Sequence, residues 1–131
     1  MFHQLGTKLS CGSISLTFGT DSDADEEALF CDGMNHIYKA TNAFVKFVKR
    51  TNETNFLVIK RDNFCGAFVG VEKGFNILQM NSKCMNNATI LHELYHVLGF
   101  EHEHSRSHRD EYVTILYENI CPGYIIYYLS Y

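Results

Sequence analysis

The segment from His92 to His102, HELYHVLGFEH, constrains this chain more than any other. His92 and His96 stand four residues apart, and Ile90, Leu91, Leu94, Val97 and Leu98 recur around them at helical spacing. On a helix, side chains four apart leave the same face one turn apart, so both imidazoles can reach one ion. Gly99 then lets the backbone turn through a left-handed conformation, and His102 returns as a third nitrogen donor. Three neutral nitrogens at ~2.0–2.1 Å suit zinc, and an open fourth position marks a catalytic rather than a structural site. Glu93 follows the first ligand directly; it is poorly placed to bind the same ion but can reach a water bound to it. Zinc lowers the pKa of such a water from ~16 toward ~7 and polarises a carbonyl. Glu93 would take the water's proton during attack and hand it to the leaving amine. The expected chemistry is zinc-dependent hydrolysis of peptide bonds, with one Zn2+ and a protein or peptide as substrate.

Composition sets the frame around that segment. A length of 131 residues suits one domain. With 46% hydrophobic and 20% charged residues the chain is not of the disordered class. A net charge of −4 argues against a nucleic-acid partner, which needs a basic face to displace counterions from phosphates. No apolar run approaches the ~18–20 residues that span a bilayer. The first twenty residues, broken by Gly6, Thr7 and Lys8, lack the apolar stretch of a signal peptide. Cys11, Cys31, Cys65, Cys84 and Cys121 are scattered without a CxxC pair. That fits disulfides in an oxidising compartment better than a cysteine-ligated metal. An odd count leaves at least one thiol free or paired outside the chain. Together with the missing signal, it suggests a sequence incomplete at one end.

Periodicity places the elements. Ile14–Phe18 alternates and is β-branched, hence a strand. Acidic residues over Thr20–Asp25 suit a helix start, and Ala24–Tyr38 has helical spacing, weakened by Gly33. Strands are expected at Phe44–Val48 and, after a turn at Thr51–Asn55, at Phe56–Lys60, whose apolar run predicts burial on both faces. Gly66–Val71 and Phe75–Met80 read as strands around a Glu72-Lys73-Gly74 turn. Asn86 and Asn87 are N-cap candidates for a helix over Ile90–Leu98. Phe100–Asp110 is loop-like and Tyr112–Leu116 is apolar again. No repeat or linker divides the chain.

The spacing HExxHxxGxxH is the metzincin signature, which a Met-turn completes. The wider segment HELYHVLGFEHEHSRSHRDEYVTI resembles the astacin family of zinc metalloendopeptidases. The resemblance is carried by Gly99-Phe100, Glu103, Arg106, Arg109-Asp110 and Tyr112-Val113, and upstream by FVKRT, CGAFVG and NSKC. It runs from about residue 14 to about residue 119, leaving the tail, residues 120–131, unassigned. It implies an α+β fold. This is the zincin-like N-terminal lobe, a twisted mixed sheet of about five strands with a backing helix and an active-site helix. It also implies His92, His96 and His102 as metal ligands, Glu93 as catalytic base, a Cys65–Cys84 disulfide flanking the strand hairpin, and a secreted, extracellular protein. A substrate would pair along an edge strand, expected at Phe75–Met80. Glu103 matches a residue near the buried N-terminus of mature astacins and reads equally as a plain loop carboxylate.

The departures are plain. No Met-turn follows His102, since Met1, Met34, Met80 and Met85 all precede it. His108 stands where the family has an aspartate. Residues 1–131 therefore read as a single, incomplete astacin-like domain. Its activity as written is expected to be weak, and a catalytically inactive zinc-binding or interaction module is the alternative. His104 and His108 read as solvated loop histidines, and His3 and His36 have no partners in sequence. Asn52-Glu53-Thr54 and Asn87-Ala88-Thr89 are glycosylation sequons, Asn87 being equally a helix cap. The tyrosine-rich tail reads as an edge strand, a membrane-facing patch or out-of-frame translation.

Overall fold

A computed structural model describes residues 2–4, 12–70 and 74–128. Cys11, Val71 and the Glu72-Lys73 part of the expected turn lie outside the described residues. The strands are β1 (Phe2–Gln4), β2 (Gly12–Phe18), β3 (Val45–Lys49), β4 (Phe56–Arg61), β5 (Gly66–Ala67), β6 (Phe75–Met80) and β7 (Phe100–His102). The α-helices are α1 (Ala24–Ala40) and α2 (Asn87–Val97). Five strands form one mixed sheet in the order β3-β2-β4-β6-β5. Its first four are parallel, and β5 is antiparallel to β6. β1 and β7 make a separate antiparallel pair. The fold is α+β, as the resemblance implies.

The register explains a short crossover. Parallel strands ordinarily need a connection of a dozen residues or more, yet only residues 50–55 separate β3 from β4. Leu16 of β2 faces Lys49 at the end of β3 on one side and Leu57 at the start of β4 on the other. β3 therefore finishes at the level where β4 begins, and the chain has only to step across β2. Arg50 N–H donates to the Leu16 carbonyl at 2.7 Å during that step.

Both helices lie against one face of this sheet. α1 starts with a capping box, in which Asp23 accepts from the Glu26 N–H at 2.9 Å. It buries Phe30, Met34 and Ile37. α2 is capped by Asn86, whose side chain accepts from the Thr89 N–H at 3.1 Å, so Asn87 is its first residue rather than its cap. The core joins those α1 residues to Leu57, Ile59, Leu78 and Met80 of the sheet and to Ile90, Leu94 and Val97 of α2. Each fully buried leucine or isoleucine there contributes about 1.5–3 kcal/mol. Gly33 sits where the helices touch. A Cβ on it would lie 3.1 Å from Ile90 Cγ2 and 3.3 Å from Leu94 Cδ1, so its lack of a side chain lets α1 and α2 close.

Two expectations are corrected. β4 is not buried on both faces: Leu57 and Ile59 are buried while Phe56, Val58 and Lys60 are half-buried. An apolar run does not report that both helices choose the same side of the sheet. The edge strand is not Phe75–Met80 but β5, which pairs Gly66 with Gln79 and Ala67 with Leu78. β5 is also shorter than the expected Gly66–Val71. After Ala67 the chain leaves β6, and the Asn76 side chain takes over, donating to the Phe68 carbonyl at 3.0 Å and to the Gly70 carbonyl. Among the described residues no helix is long and apolar enough to cross a membrane.

Candidate metal centre

α2 presents His92 and His96 from one face, one turn apart. The helix ends at Val97 with Leu98 as its cap, and Gly99 turns the chain with φ +91°, a conformation strained for any residue with a Cβ. The Gly99 N–H donates to the His96 carbonyl at 2.8 Å, and so does the N–H of Gly70, also at 2.8 Å. The segment after the edge strand is thereby tied to the end of α2. β7 carries the chain back and delivers His102, with Phe2 of β1 opposite it.

The three imidazoles meet at their Nε2 atoms. His92 and His96 are 3.0 Å apart there, His92 and His102 3.0 Å, and His96 and His102 3.1 Å. Nitrogens around one tetrahedral zinc lie ~3.3 Å apart at ordinary bond lengths, so the spacing fits a single small cation. Among the described residues these three are the group of side chains able to hold a metal. His96 Nδ1 lies 2.7 Å from the Phe100 carbonyl. A carbonyl only accepts, so Nδ1 carries the proton and Nε2 presents its lone pair. Partial desolvation, then the His96, His92 and His104 rings, hold the His102 imidazole below its ordinary pKa of 6.5. That keeps it neutral, the form a metal needs.

Glu93 points from the buried side of α2. It is 7% exposed, and its Oε2 is buried without a hydrogen-bond partner among the described residues. An unpaired buried carboxylate oxygen is costly and points to a role the fold alone does not explain. Glu103 is also buried rather than a solvated loop carboxylate. Its Oε1 accepts from Arg106 at 3.1 Å and its Oε2 has no partner among the described residues.

Other expected features separate cleanly. Cys65 and Cys84 are joined by a disulfide, which links the entry to β5 with the lead into α2. Cys31 and Cys121 are free and exposed. His104 is half-buried and stacks on His102, whereas His108 and His36 are exposed. Asn52 and Asn87 are both exposed. Within the tail, residues Pro122–Tyr128 form a 3-10 turn rather than an edge strand. Sequence reasoning gave no role to Asn76, which fixes the course of the chain after the edge strand. The signal was faint: an asparagine at a buried position of an apolar strand. It also attached no contacts to Arg109 or Tyr128.

The fold and this constellation define a metzincin-like protein. The family model for astacin, a peptidase family, matches residues 3–130, and the chain belongs to that family. Embryonic protein UVS.2 of Xenopus laevis is 42% identical over 104 residues, covering 79% of this chain and 20% of that protein. Zinc metalloproteinase nas-7 of Caenorhabditis elegans is 37% identical over 99 residues, covering 75% of this chain and 25% of that protein. The chain thus spans about a fifth to a quarter of these curated relatives. Among solved structures, high choriolytic enzyme 1, a hatching enzyme zinc-protease from Oryzias latipes, superposes with a TM-score of 0.76 at 34% identity. That match covers 91% of this chain and 59% of the other. Myroilysin, at 12% identity and a TM-score of 0.58, shares the fold.

Proposed function

We propose that this chain carries the metal-binding and proton-transfer machinery of an astacin-type zinc metalloendopeptidase that cleaves internal peptide bonds of proteins. His92, His96 and His102 would hold one zinc ion, and Glu93 would act as general base. The observation that carries the reading is the meeting of three Nε2 atoms within 3.1 Å, with Glu93, next to His92 in the chain, holding a buried carboxylate oxygen with no partner among the described residues. When bound, zinc supplies an acidified water and a Lewis acid for the substrate carbonyl. Glu93 Oε2 is free to accept the proton of the attacking water and return it to the leaving nitrogen. The Phe100 carbonyl keeps His96 in the ligating tautomer. An extended substrate strand would add to the open edge at β5, beside the exposed Phe68 and Val69. The Cys65–Cys84 disulfide fits an oxidising, extracellular setting.

Metal analysis and a peptidase assay on an unstructured protein test this together. His92→Ala should lose most bound zinc. Glu93→Gln should keep its zinc and lose ~10²–10⁴-fold in hydrolysis, because the base is gone while the ligands remain. Parental zinc content in His92→Ala would overturn the ligand assignment. A zinc-loaded parent that cleaves nothing would favour the inactive binding module.

A further inference from the structure

Arg109 is 3% exposed, yet among the described residues no buried carboxylate pairs with it. Its one acidic partner among the described residues, Asp110, contacts Nε at 3.2 Å and is itself 82% exposed, so water screens that pair. The guanidinium spends its other donors on neutral acceptors. Nη1 donates to the His104 carbonyl at 2.7 Å and to the Tyr128 carbonyl, and Nη2 donates to the Tyr117 hydroxyl oxygen at 2.8 Å. These acceptors belong to three separate turns, Glu103–Ser105, Tyr117–Asn119 and Pro122–Tyr128, all downstream of His102. One rigid cationic fork therefore gathers these three turns behind the third histidine.

That segment bears directly on His102. The His104 ring stacks on the His102 ring with centroids 5.3 Å apart and planes at 16°. The Tyr128 ring lies against His104 at 4.9 Å. His96 is oriented by the Phe100 carbonyl on its Nδ1. His102 has no such hydrogen bond on its Nδ1 among the described residues; its ring meets the His92 and His96 rings and, outside that triad, is stacked by His104. Outer contacts of this kind set both the aim and the affinity of a metal ligand.

We propose that Arg109 is a positioning residue for the third metal ligand, acting through the His104 backbone and the Tyr128 turn to hold the ring stack on His102. The proposal rests on the metal-centre reading above. Arg109→Gln removes the charge and most donors. Arg109→Lys keeps the charge but cannot serve three turns at once. His104→Ala keeps the anchored carbonyl and removes only the ring. Each variant is titrated with zinc against a chromophoric chelator and loaded with Co2+ to read the visible absorption of the ligand field, with far-UV circular dichroism as the folding check. Zinc affinity should fall ~10–100-fold in Arg109→Gln and several-fold in the other two, with changed cobalt bands in all three. Should Arg109→Gln not fold, Arg109→Lys and His104→Ala decide. Parental affinity and parental cobalt bands in folded Arg109→Lys and His104→Ala would overturn the proposal. A parent chain that binds no zinc would overturn the metal centre and the positioning role together.

Discussion

At the scale of single residues, Glu53 shows how one carboxylate can organise a turn. Its Oε2 accepts from the Thr51 N–H at 2.8 Å, the Asn52 N–H at 3.1 Å and the Ser15 hydroxyl at 3.0 Å. The Thr51 N–H first, then its own backbone N–H, and after them the Ser15 and Thr51 hydroxyls, draw its pKa from 4.5 down to about 2 against a partial desolvation that raises it. A carboxyl whose folded pKa lies below its unfolded value adds stability that is complete above the unfolded value. It is lost as pH falls toward the folded value. Glu53→Gln should therefore unfold at a lower temperature than the parent near neutral pH. The gap should close between pH 4.5 and about 2, followed by thermal unfolding in matched buffers. A gap independent of pH would mean that the carboxylate charge is not what holds the turn. Nothing in the sequence singled out this glutamate: two of its donors lie within two residues, but the third, Ser15, is brought beside it only by the crossover.

At the scale of elements, the contact between α1 and α2 sets the position of the helix that bears His92 and His96. Gly33 costs α1 ~0.5–1 kcal/mol in helix propensity relative to alanine, and the close approach of Ile90 and Leu94 explains why it is there. Gly33→Leu should regain propensity yet lose about 1–3 kcal/mol overall, since overpacking outweighs it. Urea unfolding measures the difference, and a more stable variant would show that the helices can separate without cost. The elements themselves were legible where the signal is local. The acidic start of α1, the asparagine before α2 and the glycine after it act within one turn of the chain. The length of β5 and its place at the sheet edge were not legible. Both depend on Asn76, eight residues from Phe68, replacing ladder hydrogen bonds with side-chain ones.

At the scale of the whole molecule, the three histidines sit on two units. His92 and His96 belong to α2, which packs on the five-stranded sheet, and His102 belongs to β7, which pairs with β1. An ion shared among them would lock these units together, and binding to the folded state alone would stabilise it. A hundredfold excess over the dissociation constant is worth ~2.7 kcal/mol. Added zinc should raise the thermal midpoint of the parent, a chelator should reverse the rise, and His96→Ala should show neither effect. An equal rise in His96→Ala would place the ion elsewhere. By itself the sequence determined the convergence of the imidazoles. A helical turn of four residues, a glycine able to reach φ +91° and a three-residue return act through the chain's own geometry over eleven residues. It also determined the two helices and most of the strands, because hydrophobic periodicity reports which face of an element is covered. Only the tertiary structure decided that both helices take the same face of the sheet, that the edge is β5, and that Arg109 gathers three turns behind His102. Those arrangements join residues far apart in the chain through a fold whose loop-closure entropy is met collectively, so no local pattern encodes them.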